Sequence, residues 1–175
     1  RDDVESRGLG DVYKRQGTPA YKDNSPIVSA TDRCNMVKLA IKPFDYMSLS
    51  TIETDRPGNT YTADTLAQIY DSYKKIYFII GADSLLYIQD WYHPEYICSH
   101  CHLLCANRDN NSASVLIDHK HFLADKYGAV IDFIDVPKLP YSSTDIRKKV
   151  AMGLSVKEDV GEEVEEYIKS RKLYV

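Results

Sequence analysis

Short apolar strands alternating with amphipathic helices predict an α/β chain, a parallel sheet with helices on both faces. Three observations carry this reading. The runs "KKIYFII", "HLLCANR" and "AVIDFIDV" are too short for helices and rich in β-branched and aromatic residues, as strands buried in a parallel sheet are. Segments with helical apolar spacing separate them. Each strand also runs into a polar or Gly-containing corner, "FIIGAD", "LLCANR" and "DVPKLPYSSTD". In a parallel sheet these corners fall on one edge, outside the carboxyl ends of the strands, where ligands of such sheets bind.

Taken in order, residues 32–41 form a helix behind Thr31 as cap, with Met36, Leu39 and Ala40 on one face. "MSLSTIE", 47–53, alternates and predicts a strand. "RPGNTYT" is a turn leading into a helix over 62–73 that gathers Leu66, Ile69 and Tyr73 on one side. The strand at 74–80 is expected to be central and covered on both faces. Residues 81–101 read as two short helical pieces broken around Trp91 and Pro94. A strand over 102–108, a helix over 112–128 closed by Gly128, a strand over 129–136 and helices over 143–153 and 162–172 complete the chain.

The chain has 175 residues, 43% of them apolar, enough to bury one core, and a formal charge of -4. That balance argues against a general binder of nucleic acid or anionic membrane, so an anionic ligand must be met by a few local cations. No apolar run reaches bilayer length and no secretory segment opens the sequence, which sets a cytoplasmic expectation. Oligomeric state is not encoded in any feature. Residues 1–16 carry no helix or strand period, and "GDVYKRQ" resembles translated sequencing-adapter read-through. They are expected to be a non-native or disordered run, with one domain over 17–175.

Gly81 and Asp83 of "FIIGAD" suit a backbone that approaches a ligand and a carboxylate for ribose hydroxyls, and suit equally the ordinary start of a helix. Ser142, Ser143 and Thr144 stand in a row before a helix with Arg147 one turn in. That is more hydroxyl than a cap needs, and a natural anion site at the positive end of a helix dipole. "CSHCH", Cys98 to His102, fits the spacing of c-type haem attachment or a metal tract. No export signal or distant second ligand pair accompanies it, so buried thiols are the simpler reading and no metal site is expected. "HKH" at 119–121 reads as a solvated helix face. No G-x-S-x-G, Walker loop or G-x-G-x-x-G occurs.

In order, "GTPAYK", "DRCNMVKLAI", "NTYTADTL", "YFIIGADSLLYIQDWY", "HLLCANR", "YSSTDIR" and "VEEYIKSRKLY" resemble the bacterial nicotinate-nucleotide adenylyltransferases, nucleotidylyltransferases with an HxGH signature, from about residue 17 to the end. The resemblance implies a Rossmann-like sheet and an enzyme of NAD biosynthesis that transfers an adenylyl group from ATP to nicotinate mononucleotide, with Mg²⁺ arriving on the ATP. It implies that Thr62, Trp91 and Tyr92 bind the nicotinate, Trp91 by stacking and Thr62 with the Tyr92 backbone through the carboxylate. It implies that Gly81 and Asp83 face adenosine, and that Arg108, Ser142, Ser143, Thr144 and Arg147 meet ATP phosphates.

The sequence departs from the family where its first strand and Gly-rich HxGH turn belong. Nothing in residues 1–16 matches them, so the first strand-helix unit is expected to be missing, no catalytic residue can be named, and the chain is expected to be inactive as a fragment. The usual "PPHK" stands as Pro19-Ala20-Tyr21-Lys22, and the proline common before the last helix is replaced around Val160-Gly161. The alternatives are a relative of the same superfamily with another phosphorylated acceptor, and a non-catalytic nucleotide-binding module.

Overall fold

A computed structural model describes residues 28–57, 60–73, 75–106, 113–136 and 141–175. The N-terminal run 1–16, Lys22 and Arg108 lie outside them. In chain order the elements are α1 (Ala30–Ile41), α2 (Thr62–Ile69), β1 (Tyr77–Gly81), α3 (Ala82–Leu86), α4 (Pro94–His100), β2 (His102–Ala106), α5 (Ala113–Tyr127), β3 (Val130–Ile134), α6 (Ser143–Ala151), α7 (Lys157–Val160) and α8 (Glu162–Ser170), with tighter 3₁₀ turns at Tyr70–Ser72 and Ile88–Asp90. They form two compact units, one of residues 60–136 and one joining 28–57 to 141–175.

In the 60–136 unit, β1, β2 and β3 pair in parallel in that order, and helices flank the sheet as expected for the class. Right-handed crossovers need room for a helix between parallel strands, which α4 and α5 supply. Phe78, Ile80, Leu103, Cys105 and Ile131 turn one way along the strands, and all but Cys105 and Leu103, which are fully buried, keep only a trace of exposure. Leu85, Ile88, Ile97, Leu116 and Leu123 of the helical segments are buried with them.

The expectation of a β1 covered on both faces is corrected. Its burial alternates, with Tyr77 51% and Ile79 54% exposed, and it lies at one end of the three-strand order among the described residues. A run of apolar residues fixes strand type but not how many faces are covered. The helix expected over 62–73 stops at Ile69; a tighter turn follows, so Tyr73 swings out to 61% exposure and leaves the apolar stripe.

In the other unit, α1 begins earlier than expected because the cap is Ser29, whose Oγ accepts the Asp32 N–H at 3.0 Å, and Thr31 sits inside the helix. Met36, Leu39 and Ala40 do share a face. They pack on a cluster of Ile146, Val150, Val156, Val164 and Ile168. Polar links seal the same joint: the Tyr167 hydroxyl donates to Asp32 Oδ1 at 2.8 Å, Arg171 Nε donates to it at 3.1 Å, and Asn35 donates to Tyr167 at 2.9 Å. Ser29, then Tyr167 and Arg171, hold the Asp32 carboxyl below its ordinary range.

The strand expected over 47–53 does not form. The Asp55 N–H donates to the Thr51 carbonyl at 2.9 Å, and the Thr54 hydroxyl donates to the same carbonyl, also at 2.9 Å. Threonine and aspartate offer the backbone local partners, and here those win over a sheet ladder.

Candidate functional site

The strands end in step at one sheet edge, Gly81 against Ala106 and Ala106 against Ile134. Gly81 is the N-cap of α3 with an ordinary extended backbone, φ -75°, and no side chain caps the helix. Asp83 sits half-buried in the first turn of α3, where a carboxylate also suits the positive end of the helix dipole, and it is not the cap. Arg108, two residues past β2, is among the residues not described.

The sharpest local geometry is at Trp91-Tyr92-His93. The Trp91 N–H donates to Ile88 O at 3.1 Å, and its half-buried ring sets an edge on Phe78 with centroids 6.3 Å apart. His93 takes a left-handed backbone, φ 50° and ψ 59°, and Pro94 starts α4 behind it. Such a φ is uncommon outside glycine and persists where surroundings hold it. Here the His93 Nδ1 lies 2.8 Å from Glu95 Oε1, a bond that with the Glu95 backbone N–H keeps the Glu95 carboxyl below its usual range. On the other side, the Tyr92 ring lies 4.1 Å from the His93 ring and 4.4 Å from Tyr61. Tyr61 directly precedes Thr62, the first residue of α2. The unit thus links two expected ligand-binding positions, Thr62 and Trp91-Tyr92, through the contact of the Tyr92 ring with Tyr61, a residue that the sequence did not mark as part of the site. The triplet "TYT" was its only sequence signal.

At the start of α6, Ser142 is a working cap: its Oγ accepts the Asp145 N–H at 3.1 Å and donates to the Asp145 carboxylate at 2.6 Å. The first bond satisfies one of the backbone donors that a helix start leaves over, and the second holds the serine hydroxyl in place. Ser143 is buried at 5% exposure, Thr144 is exposed and Arg147 half-buried. Of the three hydroxyl residues in the row, Thr144 presents the most surface, and the Asp145 charge makes the helix start less welcoming to an anion than the sequence implied.

The cysteine tract has a plain account. Cys98, Cys101 and Cys105 are free and buried. Loss of water pushes the Cys98 thiol up to about 11, Cys101 to about 12 and Cys105 to about 11, which opposes the thiolate that haem attachment or zinc would need. Of "HKH", His121 is exposed but His119 is not simply solvated: its Nε2 lies 3.1 Å from the Leu85 carbonyl, tying α5 to α3.

Residues 15–149 match the model of the cytidylyltransferase-like family. The chain belongs to that family. Among its sequence relatives is a probable nicotinate-nucleotide adenylyltransferase of Lachnoclostridium phytofermentans, 35% identical over 166 residues, which cover 94% of this chain and 83% of the relative. The Moorella thermoacetica protein of the same name is 36% identical, covering 93% of this chain and 76% of its own. In three dimensions the chain resembles Plasmodium falciparum nicotinic acid mononucleotide adenylyltransferase complexed with APC, with a TM-score of 0.65 at 18% identity over 86% of this chain and 78% of that one. The same parasite protein complexed with NaAD gives a TM-score of 0.61 at 16% identity. The family resemblance read from the motifs is borne out, and so is the Rossmann-like class of fold.

Proposed function

We propose that this chain is built for adenylyl transfer from ATP to nicotinate mononucleotide, giving nicotinate adenine dinucleotide and pyrophosphate. The observation that carries the reading is the match to relatives so named across nearly the whole chain, joined to an aromatic corner beside Thr62 that suits a planar, carboxylate-bearing ring. In the reaction a phosphate oxygen of the mononucleotide forms a bond to the α-phosphorus of ATP. The bond from that phosphorus to the bridging oxygen breaks, and pyrophosphate leaves with the electron pair. No covalent enzyme intermediate is required, so the protein's part is positioning and charge neutralisation.

Within this proposal Trp91 stacks on the nicotinate ring, while Thr62 and the Tyr92 backbone hold its carboxylate. Gly81 lets adenosine approach the end of β1, and Asp83 takes the ribose hydroxyls. The first-turn N–H groups of α6, Thr144 and Arg147 meet the ATP phosphates, with Ser142 shaping that turn as its cap and Ser143 packed beneath it. Arg108 supplies a further cation. Among the described residues no group of three or more His, Cys, Asp or Glu side chains forms a metal cage. Mg²⁺ belongs to the proposal as a companion of the triphosphate, which would keep most of its ligands as phosphate oxygens and water. Both substrates are highly charged and do not cross bilayers, which favours a cytoplasmic address. Among the described residues no helix is long and apolar enough to cross a membrane.

Calorimetric titration tests the reading. Nicotinate mononucleotide and ATP should each bind the wild-type chain. Trp91→Ala should weaken the mononucleotide about tenfold or more, as expected for loss of an aromatic contact worth about 1–3 kcal/mol, with ATP affinity held within twofold. Preference for phosphopantetheine over nicotinate mononucleotide, or equal loss of both ligands in the variant, would sink it.

A further inference from the structure

The two segments that carry Thr62 and Trp91 come from different parts of the sequence, and the loop bearing Trp91 has little regular structure of its own. Between the turn at Ile88–Asp90 and α4 it is three residues long, and one of them, His93, is held with a left-handed backbone at φ 50°. Something must fix where Trp91 points. Its own ring sits against Phe78 with centroids 6.3 Å apart, and the residues that follow it are held by a chain of contacts. Tyr61 meets Tyr92 at 4.4 Å with the rings tilted 34°, Tyr92 meets His93 at 4.1 Å edge to face, and His93 is bound to Glu95 at 2.8 Å. Tyr61 is 40% and Tyr92 47% exposed, so neither ring is there to fill the core. A pair of aromatic rings left half in water, next to a backbone conformation that few side chains tolerate, marks a surface shaped for something other than burial.

We infer that Tyr61 is a positioning residue: its ring braces Tyr92 so that Trp91 and Thr62 are presented together to the pyridine ring of the substrate, with the left-handed turn at His93 as the hinge the brace locks. This rests on the functional reading above. Tyr61 touches no reacting atom. It acts through Tyr92 on one side and, by chain continuity, through Thr62 on the other. The ring face matters and the hydroxyl does not, because the contact is ring on ring.

Trp91 is the sole tryptophan of the chain, so its fluorescence reports this corner alone. Two measurements on the whole chain decide the matter. In ligand-free protein, Tyr61→Ala should raise the acrylamide quenching constant of Trp91 about twofold while the melting temperature stays within about 2 °C, and Tyr61→Phe should restore the wild-type constant. On titration with nicotinate mononucleotide, Tyr61→Ala should weaken the apparent Kd about five- to tenfold, with Tyr61→Phe within twofold of wild type and ATP affinity unchanged. An unaltered quenching constant in Tyr61→Ala overturns the brace, as does a Tyr61→Phe variant that behaves like alanine. A normal Kd in Tyr61→Ala overturns its link to the substrate. Should wild-type Trp91 emission ignore nicotinate mononucleotide altogether, the functional reading fails, and the substrate half of this inference with it, while ligand-free quenching still decides the brace.

Discussion

Glu165 shows how a single residue can be legible in type and illegible in role. In sequence it is one of several glutamates opening an exposed-looking helix. In the fold it is 6% exposed, accepting the Ser155 hydroxyl at 2.7 Å and the Val156 N–H at 2.8 Å through Oε1, with Lys169 Nζ 3.0 Å from Oε2. The Ser155 hydroxyl, then the Val156 N–H and Lys169, bring its pKa down to about 2 from an ordinary 4.5. A carboxylate whose folded pKa is depressed adds stability that is whole above about pH 4.5 and drains away as pH falls towards 2, because the unfolded chain takes up the proton first. Urea unfolding midpoints measured at pH 5.5 and pH 3 should therefore separate more for wild type than for Glu165→Gln; equal separation would contradict this role. The same blindness hid His93, since no pattern announces a histidine with positive φ, and it hid the distinction among Ser142, Ser143 and Thr144. Three hydroxyls in a row were plain to see. That one caps, one is buried and one faces water follows from a backbone that is extended at Ser142 and helical from Ser143, where consecutive side chains point about 100° apart.

At the scale of elements, strand and helix types came through well, and their ends came through wherever the chemistry was local. Gly128 was expected to close the long helix, and it does, with φ 68° just after Tyr127 and its N–H donating to Ala124 O at 2.9 Å. A Cβ added there would meet nothing within 4 Å, so Gly128→Ala isolates the backbone cost. We expect about 1 kcal/mol of destabilisation by chemical denaturation, and a neutral or stabilising result would mean that the turn relaxes to negative φ. Where two local solutions competed, the sequence did not choose. Serine and threonine are both good caps, and the one that accepts the Asp32 N–H is Ser29. The 47–53 segment alternates like a strand, but no strand among the described residues pairs with it, and Thr51 bonds with Thr54 and Asp55 in a local turn instead.

At the scale of the whole 60–136 unit, a row of exposed apolar residues on the sheet is the feature with the clearest consequence. Tyr77, Ile79 and Val130, each more than half exposed, turn to the same side of β1 and β3, with His102 and Leu104 of β2 between them. Exposed apolar sheet surface of this kind favours self-association. Ile79→Thr keeps a β-branched side chain and should change unfolding free energy by no more than about 0.5 kcal/mol, while lowering the concentration-dependent association seen by sedimentation velocity. If association is unaffected, the face is not the sticky one. The sequence by itself determined the α/β class, the alternation of strands and helices from residue 77 onward, and the family, because periodicity, glycine placement and motif spacing are all written locally along the chain. Only the tertiary structure decided which face of β1 is covered, which serine caps a helix, and that Tyr61 and Tyr92 meet. Each of those depends on what residues distant in sequence bring alongside, and a one-dimensional pattern fixes what a side chain can bury or bond, not which neighbour will be there to meet it.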